Sequence, residues 1–170
     1  MKTFIATTLG VVFGFCKFVT CTYAATITEV KTAIEGVYIL DEWTIGGQTF
    51  RPPAVEGRFV ILNGNIVTVL IDATHEPKKT YSTLYGIYSL STDSFAYKYE
   101  TRTTFTQTPD NISLSRVIPW EGMRDFTVKQ EGNSVHLQFG ETAAFDFNPE
   151  RLTYSEGGKA LRVWQRAKAE

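Results

Sequence analysis

Cysteine is scarce in this chain of 170 residues, which contains only Cys16 and Cys21. Both lie within the first 24 residues, so residues 25–170 contain no thiol. Thiolate nucleophiles, zinc ribbons and iron–sulfur centres all need cysteine sulfur as a nucleophile or a ligand. The composition therefore excludes these sites, and any disulfide, from residues 25–170.

An excess of charge of one sign is also missing, since 17 Lys and Arg residues stand against 18 Asp and Glu residues. Proteins that bind a phosphate backbone usually carry a clustered basic excess, so nucleic acid is not an expected partner. The sequence lacks the Gly-x-Ser-x-Gly, Walker A and Gly-x-Gly-x-x-Gly motifs. Nucleophilic hydrolysis and nucleotide binding are therefore without support.

The N-terminus has the pattern of a secretory signal peptide. Lys2 is followed by an apolar run over residues 4–15 and then by a cleavage-site pattern that ends with the small residue Ala24. The run is too short to cross a bilayer as a helix, and no later stretch is long enough to do so. We expect residues 1–24 to be removed, leaving residues 25–170 as a secreted or periplasmic domain without a membrane span. An uncleaved anchor, or a lipoprotein site at Cys21, is the alternative.

After the leader the sequence predicts one short helix and then an all-β chain. Thr26 and Glu29 form a capping-box pattern, and Gly36 suits the position after a helix end. From there apolar residues mostly alternate with polar ones, which is typical of strands. The predicted strands cover residues 37–44, 58–62, 66–72, 80–90, 95–106, 124–130, 135–139, 145–147 and 161–166.

The turns between these strands predict their connectivity. Asn63-Gly64 is a preferred hairpin pair, and residues 91–94 and 131–134 are compact and polar. Consecutive strands linked by hairpins are antiparallel, and closing them into a ring removes the exposed edges. We therefore expect a single antiparallel up-and-down barrel of eight to nine strands, preceded by the short helix. A two-sheet sandwich is the alternative.

Tyrosine is concentrated in the hairpin of the predicted fourth and fifth strands. Aromatic rings with hydroxyl tips are typical of ligand pockets, whereas a packed core prefers aliphatic side chains. The odd-numbered face of the fifth strand is expected to point inward. Alternatively, these hydroxyls reach solvent at the barrel rim. The candidate ligand-binding residues of the hairpin are Tyr81, Tyr85, Phe95, Tyr97, Tyr99 and Thr101.

Three further candidates lie where the chain is expected to cross the barrel mouth. Trp43 ends the first predicted strand, beside a segment that is expected to form a flap. Trp120 lies in the long connection over residues 107–123 and Arg124 at the start of the next strand, and long loops in compact barrels are often functional. They are predicted to stack on or clamp a ligand. Alternatively, Trp120 plugs the end of the barrel as part of its core.

Several short motifs, in order along the chain, resemble one family. They are Gly36-Val37-Tyr38, the second hairpin over residues 56–64, Tyr85-Gly86-Ile87-Tyr88 and Trp164-x-Arg166. Together they are similar to the lipocalin-like domain group of the calycin-type β-barrels, over residues 35–166. The resemblance implies that Arg166 packs over the ring of Tyr38, a contact that closes one end of such barrels. Tyr38 stands where the family pattern has tryptophan, and the long C-terminal helix of larger lipocalins is missing.

These observations predict a secreted barrel that holds a small hydrophobic molecule. The alternative is a cofactor-independent cyclase or isomerase that folds a hydrophobic polyketide or terpenoid intermediate, because lipocalin-like domains also occur in natural-product pathways. His75 and His136 are predicted to be solvated. We therefore expect no metal and no cofactor.

Overall fold

The computed structural model describes residues 26–168, so the predicted signal peptide lies outside the described residues. The first element of the described residues is helix α1 (Ile27–Ile34). The predicted capping box is present: Thr26 Oγ1 accepts the Glu29 amide at 3.3 Å, and the Glu29 carboxylate accepts the Thr26 amide at 2.8 Å. This reciprocal pair satisfies backbone donors that the first helical turn leaves free.

The remaining described residues are almost entirely β-structure. Twelve strands follow α1: β1 (Gly36–Ile45), β2 (Gln48–Phe50), β3 (Val55–Leu62), β4 (Asn65–His75), β5 (Lys78–Leu90), β6 (Ser94–Gln107), β7 (Ile112–Val117), β8 (Arg124–Glu131), β9 (Ser134–Phe139), β10 (Ala143–Phe147), β11 (Arg151–Glu156) and β12 (Lys159–Arg166).

Ten of these strands form a closed antiparallel barrel. Each pairs with its neighbours in the order β1, β3, β4, β5, β6, β8, β9, β10, β11 and β12, and β12 pairs with β1 to close the ring. The prediction of eight to nine strands is therefore wrong, and so is the sandwich alternative. β11 was missed because its Arg-Leu-Thr-Tyr-Ser-Glu sequence is short and mostly polar. β2 and β7 lie outside the ring, paired with β1 and β6.

One end of the barrel is closed by α1 and the last residues of β12. Val30 and Ile34 of α1 are fully buried in the core. The Arg166 guanidinium lies 5.2 Å from the centre of the Tyr38 ring, donates to the Tyr38 hydroxyl at 2.7 Å and bonds the carbonyl of Ala33. The contact implied by the family resemblance is thus present.

A β-bulge in β6 changes which side chains face inward. Gly86 of β5 pairs with Tyr99, but the preceding residue Tyr85 pairs with Thr101, so Glu100 has no partner in the register. Because side chains alternate along a strand, one extra residue moves every later side chain to the other face. Odd-numbered residues of β6 face inward before the bulge, and even-numbered residues such as Arg102 face inward after it.

Candidate functional site

A cavity of about 200 Å³ occupies the half of the barrel away from α1. Its wall combines aromatic rings, two aliphatic side chains, two small hydroxyls and three guanidinium groups. The lining residues are Trp43, Phe59, Thr68, Leu70, Ser82, Leu84, Tyr97, Tyr99, Arg102, Trp120, Arg124, Phe145, Tyr154, Arg162 and Trp164.

The floor of the cavity is a packed aromatic cluster. The Phe59 and Phe145 rings stack with centroids 6.1 Å apart and planes at 15°, and the Trp164 indole lies 5.7 Å from Phe59. Gly57 makes room for this indole, since a Cβ atom there would lie 3.3 Å from Trp164 and 2.7 Å from a backbone oxygen of β4. These rings fix the depth of the cavity and separate it from the core at the closed end.

Two buried tyrosines of β6 form one wall. Tyr97 is 4% exposed and Tyr99 is 8% exposed, and the Tyr99 hydroxyl bonds the Thr68 hydroxyl at 2.6 Å. Burial raises the pKa of Tyr97 and of Tyr99, because a phenolate loses its hydration there. Both side chains therefore remain neutral phenols around neutral pH and can orient a ligand through hydrogen bonds.

Arg162 is held between two aromatic rings from neighbouring strands. Trp43 of β1 and Tyr154 of β11 are its register partners, and its guanidinium carbon lies 4.7 Å and 5.8 Å from their ring centres. Burial lowers the pKa of Arg162, and its Nε is buried without a hydrogen-bond partner. Within residues 26–168 no carboxylate lies within 4 Å of this guanidinium.

Trp120 folds back over the cavity from the connection between β7 and β8. Its ring meets Tyr97 and Tyr99 edge-on at 5.8 Å and 5.4 Å, and Arg124 lies 3.9 Å above its face. Its indole nitrogen is buried and has no partner among the described residues. Trp120 thus packs against the core and lines the cavity, and a role in stacking on or clamping a ligand stays a prediction.

The other candidates from the tyrosine hairpin do not line the cavity. Tyr85 is 41% exposed and bonds Asn65, while Thr101 accepts a hydrogen bond from Arg116 on the outer face. Tyr81 also points outward from β5, where it packs against the ring of Phe105 on β6. Phe95 does point inward, but it belongs to the core at the closed end, 1% exposed.

Sequence reasoning missed Arg102, Tyr154 and Arg162 as cavity residues. Only the bulge turns Arg102 inward, and its one sequence signal is Gly86, because an isolated glycine within a strand often marks a bulge or a close approach of the neighbouring backbone. Arg162 did have a signal, because alternation along β12 puts it on the same face as Trp164 and Arg166. Tyr154 was missed together with its strand.

The structure adds three findings for the described residues. No group of three or more His, Cys, Asp or Glu side chains in residues 26–168 is arranged to hold a metal ion. His136 bonds Asp146 and Gln138 on the outside of the barrel, at 2.6 Å and 3.0 Å. Over the same residues, no helix is long and apolar enough to span a membrane.

Comparisons with known protein families, with curated proteins and with solved structures give no match to this chain. The closed antiparallel barrel is consistent with a calycin-like architecture, and the contact of Arg166 with Tyr38 belongs to the same pattern. Membership of the lipocalin-like group stays a prediction.

Proposed function

We propose that this protein is a secreted, lipocalin-like barrel that holds a small hydrophobic molecule in the cavity beneath Trp120. The observation that carries the proposal is the cavity wall, which is mostly aromatic and holds a few fixed polar groups. Small-molecule sites are typically concave and apolar, with a small number of placed donors and acceptors. The Tyr97 and Tyr99 hydroxyls and the Arg162 guanidinium supply these polar groups here.

The size of the cavity limits the size of the ligand. At about 200 Å³ it exceeds the ~150 Å³ of an engineered apolar cavity that holds benzene. The aromatic floor around Phe59 and Phe145 closes it below, so a ligand occupies only the outer half of the barrel. One or two fused rings, or a short branched chain, fit this space better than a long fatty acyl chain.

Binding can be measured with N-phenylnaphthylamine, a neutral aromatic probe whose emission rises in an apolar site. We expect saturable binding of one probe per full chain. Leu84→Trp puts a larger side chain into the wall of the cavity and should weaken binding by at least about 10-fold, ~1.4 kcal/mol, because the indole occupies space that the probe needs. Val69→Trp, on the exposed outer face of β4, is the matched control and should bind normally. No saturable binding by the unaltered chain would refute the proposal.

The cyclase or isomerase alternative uses the same cavity. Fixed donors from Tyr97, Tyr99 and Arg162 can hold a flexible substrate in one conformer and exclude water from it. However, the lining within the described residues contains no carboxylate or imidazole, and burial makes its tyrosines harder to ionise. We therefore place binding ahead of proton-transfer chemistry. Conversion of a linear polyketide or terpenoid precursor by the full chain would reverse that order.

Export is the remaining part of the proposal. It rests on the charge, apolar run and small-residue exit of residues 1–24. Sequencing the N-terminus of the exported protein should give Ala25 as the first residue. A mature protein that retains residues 1–24 would contradict the predicted cleavage.

A further inference from the structure

We propose that the ligand is a small hydrophobic carboxylic acid, whose carboxylate binds the terminal nitrogens of Arg162 while its apolar body rests on the aromatic floor. This inference rests on the proposed binding function and names the chemical class of the ligand.

The first support is the state of Arg162. Its guanidinium carbon lies 4.7 Å from the centre of the Trp43 ring and 5.8 Å from that of Tyr154, so the two rings hold the group between them. No hydrogen bond or ion pair from residues 26–168 engages that group, although most buried polar groups in folded proteins are paired. The side chain as a whole is half-buried, so its charge is removed from water only in part; this partial burial without a partner is still costly, and a bound anion offsets that cost. A planar, fixed guanidinium presents parallel donors that match the two oxygens of a carboxylate.

The second support is the charge of the lining as a whole. Arg102 and Arg124 line the same cavity as Arg162, and none of the three forms an ion pair with a described carboxylate. Glu156 is the carboxylate whose charge acts on the pKa of Arg162. It accepts a hydrogen bond from the hydroxyl of Tyr154 and does not line the cavity. Arg102 is exposed to solvent, whereas Arg124 and Arg162 are half-buried. These positive groups around an apolar space favour an anion over a neutral or cationic ligand.

The third support is the position of the charge relative to the rings. Trp164 lies on the same face of β12 as Arg162, two residues further toward the closed end, and packs on Phe59. A ligand that reaches Arg162 with its acidic group can therefore place its apolar part against this floor. An amphipathic acid uses both features, whereas inorganic phosphate would use only the arginines.

The test compares two ligands of the same shape, naphthaleneacetic acid and its neutral amide. Both bind beside all three tryptophans of the chain, Trp43, Trp120 and Trp164, so quenching of tryptophan emission reports occupancy. Hydrogen bonds to a charged group contribute ~1.5–3 kcal/mol, so the acid should bind the full chain about 10- to 100-fold more tightly than the amide.

Variants assign the effect to the cavity. Arg162→Met keeps the apolar stem between the two rings and removes the charge, so the acid-to-amide preference should fall toward one. Arg151→Met, on the exposed start of β11, is the matched control and should keep the full preference. Urea unfolding of each variant shows whether it folds. If Arg162→Met does not fold, Arg124→Met is the second variant, and it should also reduce the preference for the acid.

Each outcome decides the proposal. Equal affinity of the unaltered chain for the acid and the amide would overturn the acidic ligand and leave the binding function standing. Absence of binding by both, together with failure of N-phenylnaphthylamine to bind, would overturn the proposed function itself. A preference that survives in folded Arg162→Met and Arg124→Met would refute the assigned site. If inorganic phosphate displaces the acid at equal concentration, the arginines bind oxyanions in general, and the assignment of a hydrophobic acid as the ligand is refuted.

Discussion

Gly86 is the position where a single methyl group should damage this fold most. A Cβ atom there would collide with the backbone of β6, at the Lys98 carbonyl oxygen, and would lie 2.7 Å from Tyr99 Cα. Carbon atoms pack at about 3.5–4.0 Å, so the two strands must separate by about 1 Å. Such a shift strains the strand pair and weakens one or two of its hydrogen bonds, because backbone atoms cannot move aside as a flexible side chain can.

We expect Gly86→Ala to lower the free energy of unfolding by about 2–5 kcal/mol. Overpacking contributes ~1–3 kcal/mol, and each lost ladder hydrogen bond contributes ~1 kcal/mol. This is a large part of the ~5–15 kcal/mol that stabilises a typical domain. With a urea dependence of ~1–3 kcal/mol per molar, the unfolding midpoint should fall by about 2 M. Tryptophan emission during urea unfolding of the full chain measures it.

Gly36→Ala is the control for this experiment. A Cβ atom at Gly36 would meet its nearest neighbour, the guanidinium carbon of Arg166, at an ordinary 3.5 Å. Its stability should therefore stay within about 1 kcal/mol of the unaltered chain, since alanine also restricts the unfolded state. If Gly86→Ala unfolds at the same urea concentration as Gly36→Ala, the strands do not approach as described. The bulge that turns Arg102 into the cavity would then be refuted with it.

Three further predictions concern hydroxyl groups and their partners. Thr68→Val removes the bond to the Tyr99 hydroxyl and leaves that buried group unpaired, so urea unfolding should show a loss of about 1–3 kcal/mol. Arg166→Met removes the contacts with Tyr38 and with the last carbonyls of α1, and should cost about 2–4 kcal/mol in the same assay. Burial raises the pKa of Tyr38, and of Tyr88, to about 12. As the pH rises, the unfolded chain therefore releases these protons before the folded chain does. The contribution of Tyr38 to the free energy of unfolding is complete below about pH 10 and should fall by ~3 kcal/mol as the pH rises to about 12. Urea unfolding across that pH range measures the loss.

Each of these predictions has its own control. Ser82→Ala removes only a long 3.4 Å contact with Thr104, so it should cost less than Thr68→Val, and equal losses would contradict the special role of the bond to Tyr99. Arg166→Lys keeps the charge but not the planar group, and full stability in that variant would show that stacking contributes little. A folded chain whose tyrosines all ionise near pH 10 would contradict the alkaline prediction.

Local sequence signals predicted the elements whose energetics are local. The capping box at Thr26 and Glu29 needs only residues three apart, and the Asn63-Gly64 turn needs only the freedom of two residues to adopt positive φ. The alternation of Phe95, Tyr97 and Tyr99 likewise follows from the period of one strand. These features were predicted correctly because neighbours along the chain determine them.

The tertiary structure decided which of the candidate residues line the cavity and which further residues join them. The bulge at Glu100 arises where β6 approaches Gly86 of β5, and it moves Thr101 to the outer face and Arg102 to the inner one. Tyr85 lies on the outer face because the alternation of β5 itself turns Ser82 and Tyr88 inward. Closure of β12 on β1 brings Trp43 to Arg162, although the two residues are far apart in the chain. Register and closure depend on contacts between distant strands, and the period of a single strand carries no information about them. The sequence by itself therefore determined an aromatic barrel preceded by a capped helix, and strand pairing determined that its cavity carries three arginines.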